Sequence, residues 1–204
     1  AKFAIRIHIV YIGIDLGTSG VKVILLSEDG HVIDSKKVPL NISRPFPLWS
    51  EQNPEDWWQA CDKAMLSLAI DNNLSGVKSI GLSGQMHGAT LLDKHHHVLR
   101  PAILWNDGRS YEACKLIQLQ CPEAQAITGN LLMPGFTAPK LLWVKQHEAN
   151  LFEQVTKILL PKDYLRFRMT GEFATDVSDA SGTLWLDMAQ RNWSERMLST
   201  TGLD

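Results

Sequence analysis

The sequence lacks several features that would settle its class at once. Among its 204 residues no apolar run approaches the ~20 that a membrane helix needs. Cysteine is scarce: Cys61, Cys114 and Cys121 are too scattered for a disulfide framework, and none has metal-ligand spacing. A reducing, cytoplasmic setting is the expectation. Excess charge is absent too. Twenty basic against 22 acidic residues give a formal net charge of −2, which argues against a nucleic-acid binder or a polybasic membrane protein. There is no internal repeat and no low-complexity linker. Two familiar phosphate loops are also missing. A Walker A loop needs Gly-Lys-Ser/Thr, but Val21 follows Gly20 and Val23 follows Lys22. A Rossmann fingerprint needs a helix after its glycines, and residues 21–26 are aliphatic and β-branched.

What the sequence does contain is an apolar strand, Tyr11-Ile-Gly-Ile, ending in Asp15-Leu-Gly17-Thr18-Ser19-Gly20, with a second apolar strand straight after. The turn offers backbone N–H groups and two hydroxyls, and its glycines are expected to supply the positive φ of a tight turn. Consecutive N–H groups in a turn form an anion nest. A carboxylate at such a place repels phosphate unless a cation lies between, so Asp15 points to Mg²⁺. Thr18 and Ser19 are candidate phosphate donors, and Gly17 lets the backbone approach. The competing reading is an ordinary hairpin whose aspartate caps its own turn.

Strands are expected over 10–16, 21–27 and 31–38, and a buried strand over 77–82. Further strands are expected at 90–93, 98–99, 102–105, 157–160 and 183–186. Asn53-Pro54-Glu55-Asp56 reads as a helix start, with Trp57, Cys61, Ala64, Met65 and Leu68 on one buried face. Residues 110–120, 137–147, 162–169 and 194–201 read as helices. An opening meander followed by alternating strands and helices implies an α/β fold with a mixed β-sheet flanked by helices. A hairpin that itself cradles phosphate makes it a ribonuclease H-like, actin-like ATPase domain. Residues 1–9 are treated as an upstream extension or expression remnant, and 10–204 as the domain.

Several side chains fall at strand ends, where open α/β sheets bind ligands. Met86 and His87 follow the 77–82 strand, with Gln85 a weaker candidate. Trp105 is either a ligand platform or a core residue. Asn106 and Asp107 follow it as candidate polar ligand contacts. His95-His96-His97 sits in a polar turn, where adjacent side chains point apart, so no metal site is expected. Asp176 and Asp179 are read as structural or cleft-lining.

In register along the chain lie Asp15-Leu-Gly-Thr-Ser-Gly20, Trp49-Ser-Glu-Gln52 and Gly84-Gln-Met-His-Gly88. Then come Ile103-Leu-Trp-Asn-Asp107 with Arg109, and Thr128-Gly-Asn130. Gly135-Phe-Thr-Ala-Pro-Lys-Leu-Leu-Trp143 and Leu160-Pro-Lys-Asp-Tyr164 with Thr170-Gly-Glu172 complete the set. From Tyr11 to its last residue the chain resembles the FGGY family of carbohydrate kinases, and within it the D-xylulose-phosphorylating branch. Residues 135–146 fit the family's first signature, with Lys140 and Trp143 in place. The resemblance implies two ribonuclease H-like domains with ATP and Mg²⁺ in a cleft, and the sugar held mainly by the N-terminal domain. It implies an aspartate that deprotonates the sugar hydroxyl. That aspartate and the adenosine site are expected beyond Asp204, so this chain reads as an incomplete N-terminal domain, inactive alone. Its uncovered apolar side would favour self-association, so a homodimer is expected. Gluconate or another sugar is the alternative substrate; a non-catalytic sugar- or partner-binding remnant is the alternative class.

Overall fold

The computed structural model describes residues 9–203, so the 1–9 extension lies outside the described residues except at Ile9. Three strands come first: β1 (Val10–Gly17), β2 (Gly20–Ser27) and β3 (Val32–Pro39). Then follow β4 (Glu51–Gln52), α1 (Pro54–Asp71), β5 (Val77–Gly84), β6 (Thr90–Leu92) and β7 (Ala102–Ile103). Next are α2 (Tyr111–Gln120), α3 (Ala124–Thr128), α4 (Thr137–His147), α5 (Ala149–Phe152) and β8 (Lys157–Leu159). The last elements are α6 (Pro161–Thr170), α7 (Val177–Ala180), β9 (Leu186–Asp187), β10 (Asn192–Trp193) and α8 (Glu195–Ser199). These divide into two compact units. One comprises residues up to Asn41 with Glu55–Gly84; the other comprises Ile42–Pro54 with the chain from Gln85 onward.

The first unit holds a four-stranded mixed sheet in the order β3-β2-β1-β5. β1 runs antiparallel to β2 and parallel to β5, with Asp15 opposite Lys22 on one side and Ser83 on the other. Alternation sorts the faces. Val10, Ile12, Ile14 and Leu16 of β1 and Val21, Val23 and Leu25 of β2 are buried, and Asp15 is exposed. α1 begins at Pro54, whose fixed φ suits the first helical position, and buries Trp57, Cys61, Ala64 and Leu68. β5 departs from expectation. Its Val-Lys-Ser-Ile-Gly-Leu run reads as buried, but most of it is exposed. It forms the edge of the sheet, paired on one side by β1.

The second unit is built from short pairings and helices. β4 pairs with β7, β6 with β8 and β9 with β10, all antiparallel. Its core gathers Leu91, Ile103, Ile117, Leu141, Val144, Leu184, Trp185 and Met197. The strand expected over 183–186 is displaced. A short 3₁₀ turn occupies Ser181–Thr183, Leu184 is left-handed at φ 65°, and pairing starts at Leu186. The Thr183 hydroxyl donates to Ala180 O (2.7 Å) and accepts from Trp185 N–H (3.1 Å), which holds the chain in a turn.

Candidate active site in two parts

The hairpin of the first unit carries Asp15, Gly17, Thr18 and Ser19. The ladder continues to Gly17–Gly20, which leaves Thr18-Ser19 as a two-residue turn. One expectation is corrected here. Neither Gly17 nor Gly20 adopts positive φ. Gly20 is needed for space: a Cβ there would lie 2.6 Å from the Val38 carbonyl oxygen of β3. The turn is tied to β3 by Leu40 N–H donating to Ser19 O (3.1 Å). Ser19 is exposed and Thr18 half-buried at the tip.

On the open face of the sheet Asp15 and Lys22 border a shallow depression of about 430 Å³, with Gly13, Ile24, Gly81 and Ser83 around it. Missing side chains at Gly13 and Gly81 keep this face low beside the carboxylate. Among the described residues no three His, Cys, Asp or Glu side chains gather to hold a metal. A single exposed carboxylate is compatible with Mg²⁺, which takes one or two carboxylates and fills the rest of its shell with other oxygens and water.

The second unit carries Gln85, Met86, His87, Trp105, Asn106 and Asp107. The turn at His87 is unusual. Gly88 N–H donates to Met86 O (2.8 Å) across His87, whose φ is +64°. A three-residue turn of this hand is rare and strained. The left-handed region costs a side-chain-bearing residue about 1–2 kcal/mol. Three features hold His87 there. Its carbonyl accepts from Lys140 Nζ (2.8 Å) and Thr137 Oγ1 (3.1 Å) of α4. Its ring lies 4.3 Å from that of Phe136. Its Nδ1 meets Gly182 O at 2.9 Å.

That last contact fixes the chemistry of the imidazole. A carbonyl oxygen accepts, so Nδ1 carries the proton and Nε2 presents a lone pair. Burial, and secondarily the Lys140 amine, pushes His87 down to about 4, so the ring is neutral at physiological pH. Burial is the larger cause and holds whatever the charge on Lys140, which burial itself pushes well below the usual lysine range. Space for the ring comes from Gly182, where a Cβ would lie 2.3 Å from both Cε1 and Nδ1.

The segment before α4 joins this turn to the Trp105 strand end. Gly135 admits the Trp105 carbonyl oxygen, which a Cβ would meet at 2.3 Å. Phe136 and Thr137 then reach His87. Met86 and Trp105 each leave 45% of their surface exposed. Asn106 is also exposed. Two candidates sit differently. Gln85 is buried, and its Nε2 donates to Gln52 Oε1 (2.9 Å). The Asp107 side chain is wholly buried and already engaged: Oδ1 accepts from Arg109 Nε (2.9 Å), and Oδ2 from Arg109 Nη2 (2.7 Å) and Ser50 N–H (2.6 Å). The Asp107 carboxylate is therefore held within the protein, with both oxygens already accepting hydrogen bonds.

The same contacts explain the Trp-Ser-Glu-Gln motif. Arg109 Nη1 pairs with Glu51 (2.7 Å), and Arg100 pairs with Glu51 and with Glu148 (2.8 Å). The Arg109 guanidinium lies over the Trp49 ring at 3.5 Å and 5.0 Å from that of Trp143. Buried charges of both signs pair here, and the network locks the loop that follows Trp105. Asp176 and Asp179 take structural roles. Asp176 caps α7 by accepting from Asp179 N–H (2.9 Å), and both carboxylates meet Lys162 Nζ (2.9 and 3.3 Å). His95 and His97 are turn residues whose N–H groups donate to Asp93 (both 2.8 Å), and the His96 ring packs edge-on to Phe167.

Lys140, Thr137, Phe136 and Gly182 were not among the candidates from sequence. The signature segment 135–146 carried a signal for the first three; nothing in the sequence marked Gly182.

Residues 10–204 match the N-terminal domain of the FGGY family of carbohydrate kinases, and the chain belongs to that family. It is 63% identical over 193 residues to a xylulose kinase of Escherichia coli, a match covering 95% of this chain and 40% of that protein. A xylulose kinase of Bacillus subtilis is 46% identical over 201 residues, 94% of this chain and 39% of the relative. The crystal structure of a xyloylose kinase from Brucella ovis superposes with a TM-score of 0.93 at 51% identity, covering 95% of this chain and 41% of that one. The chain thus spans about 40% of the relatives it matches, and it shares the actin-like fold of this family.

Proposed function

We propose that this chain is the N-terminal, sugar-holding part of a kinase that transfers the γ-phosphoryl group of ATP to D-xylulose, giving D-xylulose 5-phosphate. The observation that carries the reading is the neutral His87, with Nε2 as acceptor, joined through residues 135–137 to the exposed Trp105. A polyol needs that pairing: an acceptor for a hydroxyl proton, and an aromatic face for its C–H groups. Met86 gives an apolar wall and Asn106 both a donor and an acceptor. Asp107 acts by fixing the Trp105–Arg109 loop through Arg109, and Gln85 by its bond to Gln52.

Phosphoryl transfer depends on position and charge neutralisation more than on covalent chemistry. The Gly17–Gly20 turn supplies N–H groups, and Thr18 and Ser19 hydroxyls, to phosphate oxygens. Asp15 holds Mg²⁺, directly or through water. When bound, the ion neutralises charge developing on the transferred group. The base that takes the sugar proton lies outside residues 10–204, and this agrees with the structural engagement of Asp107, Asp176 and Asp179 described above.

The test is ADP formation by the longer protein with a sugar panel. D-xylulose is expected to give the highest kcat/KM, with His87→Ala lowering it; preference for gluconate would redirect the reading to another sugar. This chain alone is expected to show no sugar-dependent ADP formation, and turnover above background would contradict the placement of the base.

A further inference from the structure

We propose that Lys140, seconded by Thr137, is a positioning residue for the sugar: it grips the His87 carbonyl and holds the left-handed turn that sets the direction of the imidazole. The inference rests on the reading of His87 as a sugar contact. Backbone strain of this kind persists only where the surroundings impose it. Here two donors from the first turns of α4 converge on one carbonyl oxygen, at 2.8 and 3.1 Å.

The cost of Lys140 sharpens the point. Its side chain is fully buried, which lysine almost never is without a partner. A methionine would fill the same volume without burying an amine, so packing alone does not account for a lysine. What the amine adds is the hydrogen bond to His87 O. That carbonyl belongs to the residue whose ring bonds to Gly182 O. If the turn relaxes, the ring leaves Gly182 and Nδ1 loses the contact that selects its tautomer.

The experiment uses ¹⁵N-histidine-labelled chain, with imidazole tautomers read by long-range ¹H–¹⁵N correlation and D-xylulose affinity measured by titration. In the unsubstituted chain His87 is expected as the Nδ1–H form. Lys140→Met is expected to convert it to a tautomer mixture and weaken D-xylulose binding about 3- to 10-fold, the worth of one neutral hydrogen bond. Lys140→Gln keeps an N–H donor and is expected to restore most of the Nδ1–H form. A merely space-filling lysine would not separate these two variants. A folded Lys140→Met chain with unchanged His87 signals overturns the inference. Should Lys140→Met fail to fold, Thr137→Val decides by the same readout: a shifted His87 signal supports the proposal and an unchanged one overturns it. If His87 shifts in Lys140→Met while neither chain binds D-xylulose, positioning stands and the sugar reading falls.

Discussion

The hairpin around Asp15 and the turn around His87 solve opposite problems. The first is local: eight paired positions along β1 and β2, a two-residue tip and an exposed carboxylate. The second is assembled from distant segments, with His87 bonded to Thr137, Lys140 and Gly182. The hairpin suits a ligand that brings its own charge and metal, since it offers N–H groups and one carboxylate to whatever arrives. The His87 turn suits a neutral ligand told apart by hydroxyl geometry, since its tautomer and backbone are set in advance. Pre-organisation of this kind requires a rigid supporting shell, and the buried charges and glycines of the second unit provide one.

Substitutions sharpen this contrast. The largest effect is expected from Arg109→Met, which leaves Asp107 buried without its guanidinium and Glu51 with Arg100 alone. Losing one partner of a buried pair costs about 3–5 kcal/mol. Chemical denaturation should show that loss, with Trp105 becoming more mobile in fluorescence anisotropy. Gly182→Ala comes next. Its methyl would overlap the His87 ring, and overpacking costs about 1–3 kcal/mol. Gly81→Ala, on the open face of the sheet with nothing within 4 Å of the new Cβ, should change stability by less than about 0.5 kcal/mol. An effect of pH is also expected. The folded-state pKa of His87 is depressed to about 4 from 6.5, so its contribution to stability is complete above about pH 6.5 and is lost as pH falls toward 4. His87→Asn, which tolerates left-handed backbone, should remove that slope from denaturation curves taken across this window. Asp15→Asn should change stability as little as Gly81→Ala, within about 0.5 kcal/mol as for an exposed site, but with loss of Mg²⁺-dependent nucleotide binding in the longer protein.

Legibility in the sequence follows the same divide. The hairpin was readable because alternation and turn chemistry are local signals; β1, β2 and β3 fall within a residue of expectation. What misled was the role of Gly20, which depends on the approach of β3 rather than on the dihedrals of the turn. β5 was misjudged because an apolar run does not say which strand lies at a sheet edge. In the second unit His87 and Trp105 are candidates from their strand-end positions. Their supports are not, because Gly182 lies 95 residues from His87 and only packing joins them. The burial of Asp107 is not legible from its place after a strand end. Its partner Arg109, two residues on, takes both of its oxygens.

The most direct test of the account is a titration of the ¹⁵N-labelled chain with D-xylulose, with backbone amides, the Trp105 indole and the His87 imidazole followed together. The account expects saturable shifts at His87, Met86 and Trp105 and none at the Gly17–Gly20 amides. Saturable shifts confined to the Asp15 hairpin, with His87 and Trp105 silent, would contradict it.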